Sequence, residues 1–158
     1  MNEAYCKSII KNVENNFKDF QILLSGIPEN TDVERGNITR ELTELFATLT
    51  AIEEEVFEMR LKKIIDIENP YIPAISPETV RDSVSQQNQS LLNLVQEYLS
   101  QKESIIKFLY RVPFFYWDRT GVHELEGHVT FEEFIRRLIK NDNSNISVLK
   151  KKVNFKGN

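Results

Sequence analysis

Apolar residues recur at helical spacing along most of the chain, and this limits the fold more than any other feature. From about Glu3 to Leu24, the residues Tyr5, Ile9, Val13, Phe17, Phe20 and Leu24 follow one another at steps of four, four, four, three and four. That pattern lines one face of an α-helix. A second stripe runs from about Ile38 to Asp66 through Leu42, Leu45, Leu49, Ile52, Val56 and Met59. A third runs to about Arg111 through Val80, Val84, Leu91, Leu94, Val95, Tyr98, Ile105 and Leu109. A fourth opens at Thr130 and continues to about Lys152.

The breaks between stripes carry turn chemistry. Gly26, Pro28 and the polar run Glu29 to Asp32 form the first loop, and Asn69-Pro70, Pro73 and Pro77 form a stiff extended connection. Ser76-Pro77-Glu78 reads as a capped helix start. The third helix is expected to begin there, with a polar first part, Asp82 to Ser90, overhanging solvent. Asp118 to Gly127 reads as a connecting loop. Thr130-Phe131-Glu132-Glu133 reads as a capping box, in which Glu133 reaches back to the Thr130 backbone. Five Gly and five Pro in 158 residues are too few for a turn-rich β-protein. The expected fold is all-α: one domain over residues 1–158, an up-down bundle of four helices with no sheet.

Charge and composition narrow the function. The net charge of −4 is the wrong sign for gripping a nucleic acid backbone, so no nucleic acid partner is expected. The one basic cluster, Lys150-Lys151-Lys152, suits the C-terminal end of a helix dipole. Cys6 is the only cysteine, so no internal disulfide forms. No apolar stretch approaches a membrane span, and Met1 to Tyr5 does not open a signal peptide. The expected location is the cytoplasm, with no membrane contact. The aromatic run Phe114 to Trp117 is more apolar than a helix end needs, which suggests a homodimer.

Four features invite a chemical reading. His123 and His128 resemble H-E-x-x-H, but the second histidine is one residue late, which puts the pair about 140° apart on a helix. Local hydrogen bonding in a loop is the plainer role. Glu53-Glu54-Glu55 reads as a solvated face. On the last helix, Phe134, Leu138, Asn141, Asn145 and Val148 to Leu149 share one face, which aims two amides inward. Such amides need partners, and structural hydrogen bonding is the expected role. Asp142 would lie about 100° around the helix from Asn141, away from that inward point. Thr48 sits at the edge of the second stripe, with a bond to the carbonyl one turn back as its ordinary role.

The ordered set Trp117-Asp118-Arg119-Thr120-Gly121-Val122-His123, Gly127 and Thr130-Phe131-Glu132-Glu133-Phe134 resembles the DinB-like superfamily, which includes the YfiT-like metal-dependent hydrolases and thiol transferases. Glu53, Arg60 and Asn69-Pro70 also fall where that family has a glutamate, an arginine and a proline. The resemblance spans roughly Arg40 to Lys152. It implies a metal site built from a histidine on the second helix and an H-x-x-x-H pair on the last. Those positions hold Thr48, Asn141 and Asn145 here, and only the adjacent Asp142 is kept. The resemblance also implies that Arg119 is a pocket or hinge residue.

A hydroxyl and two amides are poor donors for a borderline-soft ion, so no metal or other cofactor is expected. The first reading is a metal-free relative that binds a small molecule or a partner, with Thr48, Glu53, Arg119, Asn141 and Asn145 as ligand-pocket candidates. The second is a metal enzyme with substitute ligands such as Glu53, Asp142 and a loop histidine. The third is a structural or regulatory interaction protein without a pocket.

Overall fold

The structure, a computed structural model, describes residues 2–27, 36–84 and 89–154. It is mostly helical and carries a small three-stranded sheet. Helix α1 (Glu3–Ser25) opens on Asn2, whose side chain accepts from the Ala4 and Tyr5 N–H groups, satisfying two of the free donors at a helix start. The second long helical segment has three parts: α2 (Gly36–Ile52), a π-helical stretch (Glu53–Glu58) and α3 (Met59–Asp66). Helix α4 (Pro77–Ser83) and helix α5 (Leu91–Arg111) are separate. Ser76 caps the first through Thr79 N–H at 3.1 Å, and Ser90 caps the second through Asn93 N–H at 3.1 Å.

The expected single helix from Ser76 to Arg111 is therefore two helices, and Val84 ends the first in an extended conformation. The loop expected over Pro28 to Asp32 lies outside the described residues, as does part of the Asp82 to Ser90 stretch.

Helix α6 (Phe131–Asn154) closes the chain. Thr130 Oγ1 accepts from Glu133 N–H at 3.0 Å. The Glu133 carboxylate turns to Arg137 on the next turn, 3.4 Å away, where the capping box would have it reach back.

The expectation of no sheet is corrected. Strands β1 (Tyr71–Ile72), β2 (Thr120–His123) and β3 (Gly127–Thr130) lie in that order, β1 parallel to β2 and β2 antiparallel to β3. The connections expected to be irregular supply these strands. Prolines at 70 and 73 hold β1 extended, and cations of α3 hold its flanks: Lys63 Nζ donates to Tyr71 O at 2.7 Å and Arg60 Nη2 to Pro73 O at 2.8 Å. Gly121 is buried in β2, where an added Cβ would stand 2.7 Å from Ile72 Cγ1. A three-residue turn, Glu124 to Glu126, joins β2 to β3. Gly127 follows it with φ +76°, a conformation that costs glycine little.

Helix α1 packs on α5 and α6, and α2 packs on α5 and α4. The core falls into two apolar clusters. One lies beside the sheet and includes Ile10, Val13, Phe57, Leu61, Ile105, Trp117, Phe131 and Leu138. The other includes Phe20, Leu42, Phe46, Leu49, Leu94, Tyr98, Ile146 and Leu149. Each such side chain contributes about 1.5–3 kcal/mol on burial. Of the aromatic run, Trp117 is fully buried and closes the first cluster, while Phe115 is exposed. No helix among the described residues is long and apolar enough to cross a membrane.

Candidate functional site

A polar layer separates the two apolar clusters. On α1 the inward face reads Val13, Asn16, Phe20; from α2 into the π-helical stretch it reads Leu49, Glu53, Phe57. On α5 it reads Tyr98, Lys102, Ile105, and on α6 Leu138, Asp142, Ile146. In each case the outer residues belong to opposite clusters and the middle one is a buried polar group. Each of the long helical segments thus supplies one polar side chain to the same level of the core.

Lys102 joins the layer. Its Nζ lies 2.8 Å from Glu53 Oε1 and donates to Asp142 Oδ1. All three side chains are within about 1% of complete burial. The ammonium also lies over the Phe20 ring, 5.4 Å from its centroid, and over the Tyr98 ring, 5.5 Å from its centroid, on the side where the ring quadrupole favours a cation. Several buried polar atoms of the layer have no hydrogen-bond partner: Glu53 Oε2, Asp142 Oδ2, the Tyr98 hydroxyl and Asn16 Nδ2. Asn145 lies beside the Tyr98 hydroxyl without reaching good hydrogen-bond geometry, and its own Nδ2 is also unpartnered.

The charges do not balance. Two ionised carboxylates facing one ammonium leave one negative charge in excess, away from water. Burial pushes the Glu53 carboxyl up to about 7, with the Lys102 charge opposing this and Asp142 adding to it. Burial likewise raises Asp142, and Lys102 offsets part of that. Burial works against a charged Lys102, but Glu53 and Asp142 outweigh it and hold its pKa above the usual lysine range. Burial also keeps the Tyr98 phenol above its ordinary range. The layer therefore contains a fixed ammonium and a carboxyl that exchanges its proton near neutrality.

The expected site residues divide. Glu53, expected on a solvated face, is fully buried and is a member of the layer; Glu54 beside it is exposed. Asn141 and Asn145, expected to point inward, are half-buried, and Asp142 between them is the inward residue. The face of α6 runs through Phe134, Leu138, Asp142, Ile146 and Leu149; it keeps the expected Phe134, Leu138 and Leu149 and differs by one position in the middle, where Asp142 and Ile146 stand in place of Asn141 and Asn145. Thr48 is half-buried on α2 and lines an open groove with Glu44, Ala51, Glu55 and Lys152. Arg119 is half-buried, its guanidinium 5.1 Å from the Tyr116 ring centroid, and its carbonyl accepts from Phe131 N–H at the start of α6.

His123 is buried in β2, and its Nδ1 accepts from the N–H groups of Leu125 and Glu126, the local role expected of it. His128 Nδ1 lies 3.2 Å from Thr120 Oγ1.

No family model, curated protein or solved structure matches this chain. Lys102 and Tyr98 were not among the expected site residues. The signal for Lys102 was present: it follows Tyr98 by four and precedes Ile105 by three, a core position held by a charge. A metal centre at the positions the resemblance implies does not fit the residues present. Thr48, Asn141 and Asn145 offer no charged donor. The two carboxylates best placed to substitute are both engaged by the Lys102 ammonium. Among the described residues, no group of three or more His, Cys, Asp or Glu could hold a metal ion.

Proposed function

We propose that this chain is a DinB-like, up-down four-helix bundle in which a buried ammonium takes the role of a core cation, and that it works as a binding module for a small molecule or a partner. The observation that carries this reading is the position of Lys102 between Glu53 and Asp142. A divalent cation drawn to those carboxylates would have to displace or approach a fixed positive charge less than 3 Å from one of them. The Coulomb cost of that approach is severe in a low-dielectric interior. Metal-assisted hydrolysis needs an ion that lowers the pKa of a bound water, and Thr48, Asn141 and Asn145 supply no ligand set for one.

Two measurements test the reading. Elemental analysis of untagged protein is expected to find zinc and nickel far below one per chain. Near-stoichiometric metal that is lost in the Asn141→Leu/Asn145→Leu variant would overturn the proposal in favour of a metal enzyme. A melting screen against small metabolites is expected to yield a ligand that raises the midpoint, because binding to the folded state alone stabilises it.

A further inference from the structure

A second charged cluster lies on the outer side of α3 and α6, near the β2–β3 turn. Arg60 is 8% exposed, and its Nη2 donates to the Pro73 carbonyl. Its Nε–H is buried without a partner, and no carboxylate among the described residues forms an ion pair with it. Its guanidinium carbon lies 5.8 Å from the Phe134 ring centroid, and that of Arg137 lies 5.6 Å from the same ring. Burial, then the like charge of Arg137, works against the Arg60 charge; Glu126 offsets part of this.

Glu126, at the end of the turn, meets Arg137 fork to fork: Nη1 to Oε2 at 2.8 Å and Nη2 to Oε1 at 2.7 Å. The Glu126 side chain is 45% exposed, and Leu125 beside it is 77% exposed.

We propose that Arg60 and Arg137 form a binding site for the carboxylate group of a small ligand, closed in the free protein by the carboxylate of Glu126. The fork of Arg137 already holds a carboxylate in the planar, two-point geometry that a guanidinium recognises best. Arg60 supplies a second, buried guanidinium that Glu126 influences only through space; its unpartnered Nε–H gives an arriving carboxylate a hydrogen bond that Glu126 leaves unmade. The buried Phe134 ring, its centroid 5.8 Å and 5.6 Å from the two guanidinium carbons, holds the two arginines over one core side chain. This site is separate from the Lys102 layer, and its test is independent of that reading.

The probe is sodium malonate, titrated at constant ionic strength against sodium chloride and sodium phosphate. Binding is read from the melting midpoint and from the Arg60 Nε–Hε signal in NMR spectra. Malonate is expected to raise the midpoint above the chloride control and to move the Arg60 signal. Glu126→Gln removes the internal competitor and is expected to bind malonate roughly tenfold more tightly, because more of the protein is then competent to bind. Arg60→Lys, if its melt stays cooperative, is expected to lose most of the response; if it does not fold, the Arg60 signal in the wild-type protein still decides. A malonate effect equal to that of chloride, a phosphate effect without a malonate effect, or equal affinity in Glu126→Gln and wild-type protein would each overturn the proposal.

Discussion

Among the described residues, Glu53 carries the clearest pH signature. Its carboxyl is raised from 4.5 to about 7 in the folded protein, so between those pH values the native state holds a proton that the unfolded state has released. Stability from this group is fully present below pH 4.5 and is lost as pH rises through 7. The facing groups are Lys102 and Tyr98 from α5, Asp142 from α6 and Glu58 within the same helical segment; α1 contributes the neutral Asn16 and Phe20 to the layer. A displacement of this size corresponds to roughly 3 kcal/mol. Urea unfolding at pH 5 and pH 8 is expected to show the wild-type protein weaker at pH 8 by about that order, once other titrations are subtracted. Glu53→Gln, which keeps the shape and removes the charge, is expected to match wild type at pH 5 and exceed it at pH 8. A Glu53→Gln profile parallel to wild type across this range would show that Glu53 stays ionised throughout.

At the scale of elements, the helical stripes placed the long helices well, and the differences arise where the backbone departs from a regular α-helix. Leu49, Glu53, Phe57 and Leu61 face the core at three steps of four, which would drift about 120° around a regular helix. The π-helical stretch takes up that drift: Met59 N–H bonds to Glu54 O, five residues back. An expectation built on regular spacing put Met59 in the core, but it is 57% exposed. The same one-residue slip on α6 put Asn141 inward in place of Asp142, because an apolar-only stripe cannot count a carboxylate as a core residue. The strands were missed for a different reason. Each is four residues or fewer, too short for alternation to stand out from a loop. Gly121 is the sharpest constraint on that sheet. Gly121→Ala is expected to destabilise the protein by about 1–3 kcal/mol through overpacking against Ile72 and Ile64, measured by denaturant midpoint. An unchanged midpoint would mean that β1 moves aside at no cost.

Across the whole molecule, the two apolar clusters and the polar layer between them form one design, with an ionic joint at its middle. The apolar clusters could be read from the sequence because hydrophobic residues announce themselves by period. The layer is written only in spacing, because lysine and glutamate are ordinarily solvated and nothing but their place within the stripes sets Lys102 and Glu53 apart. Buried ions are costly, and a paired cluster is often no more stabilising than an apolar one of the same volume. Breaking it from one side is another matter, because removing Lys102 leaves two carboxylates buried without a counter-charge. The most direct test of the account is therefore denaturant unfolding at pH 8 of Lys102→Met beside the triple variant Glu53→Met/Lys102→Met/Asp142→Leu. The account predicts that the single variant loses roughly 3–5 kcal/mol and that the triple variant recovers most of the loss. A Lys102→Met protein as stable as wild type, or a triple variant no more stable than the single, would contradict it.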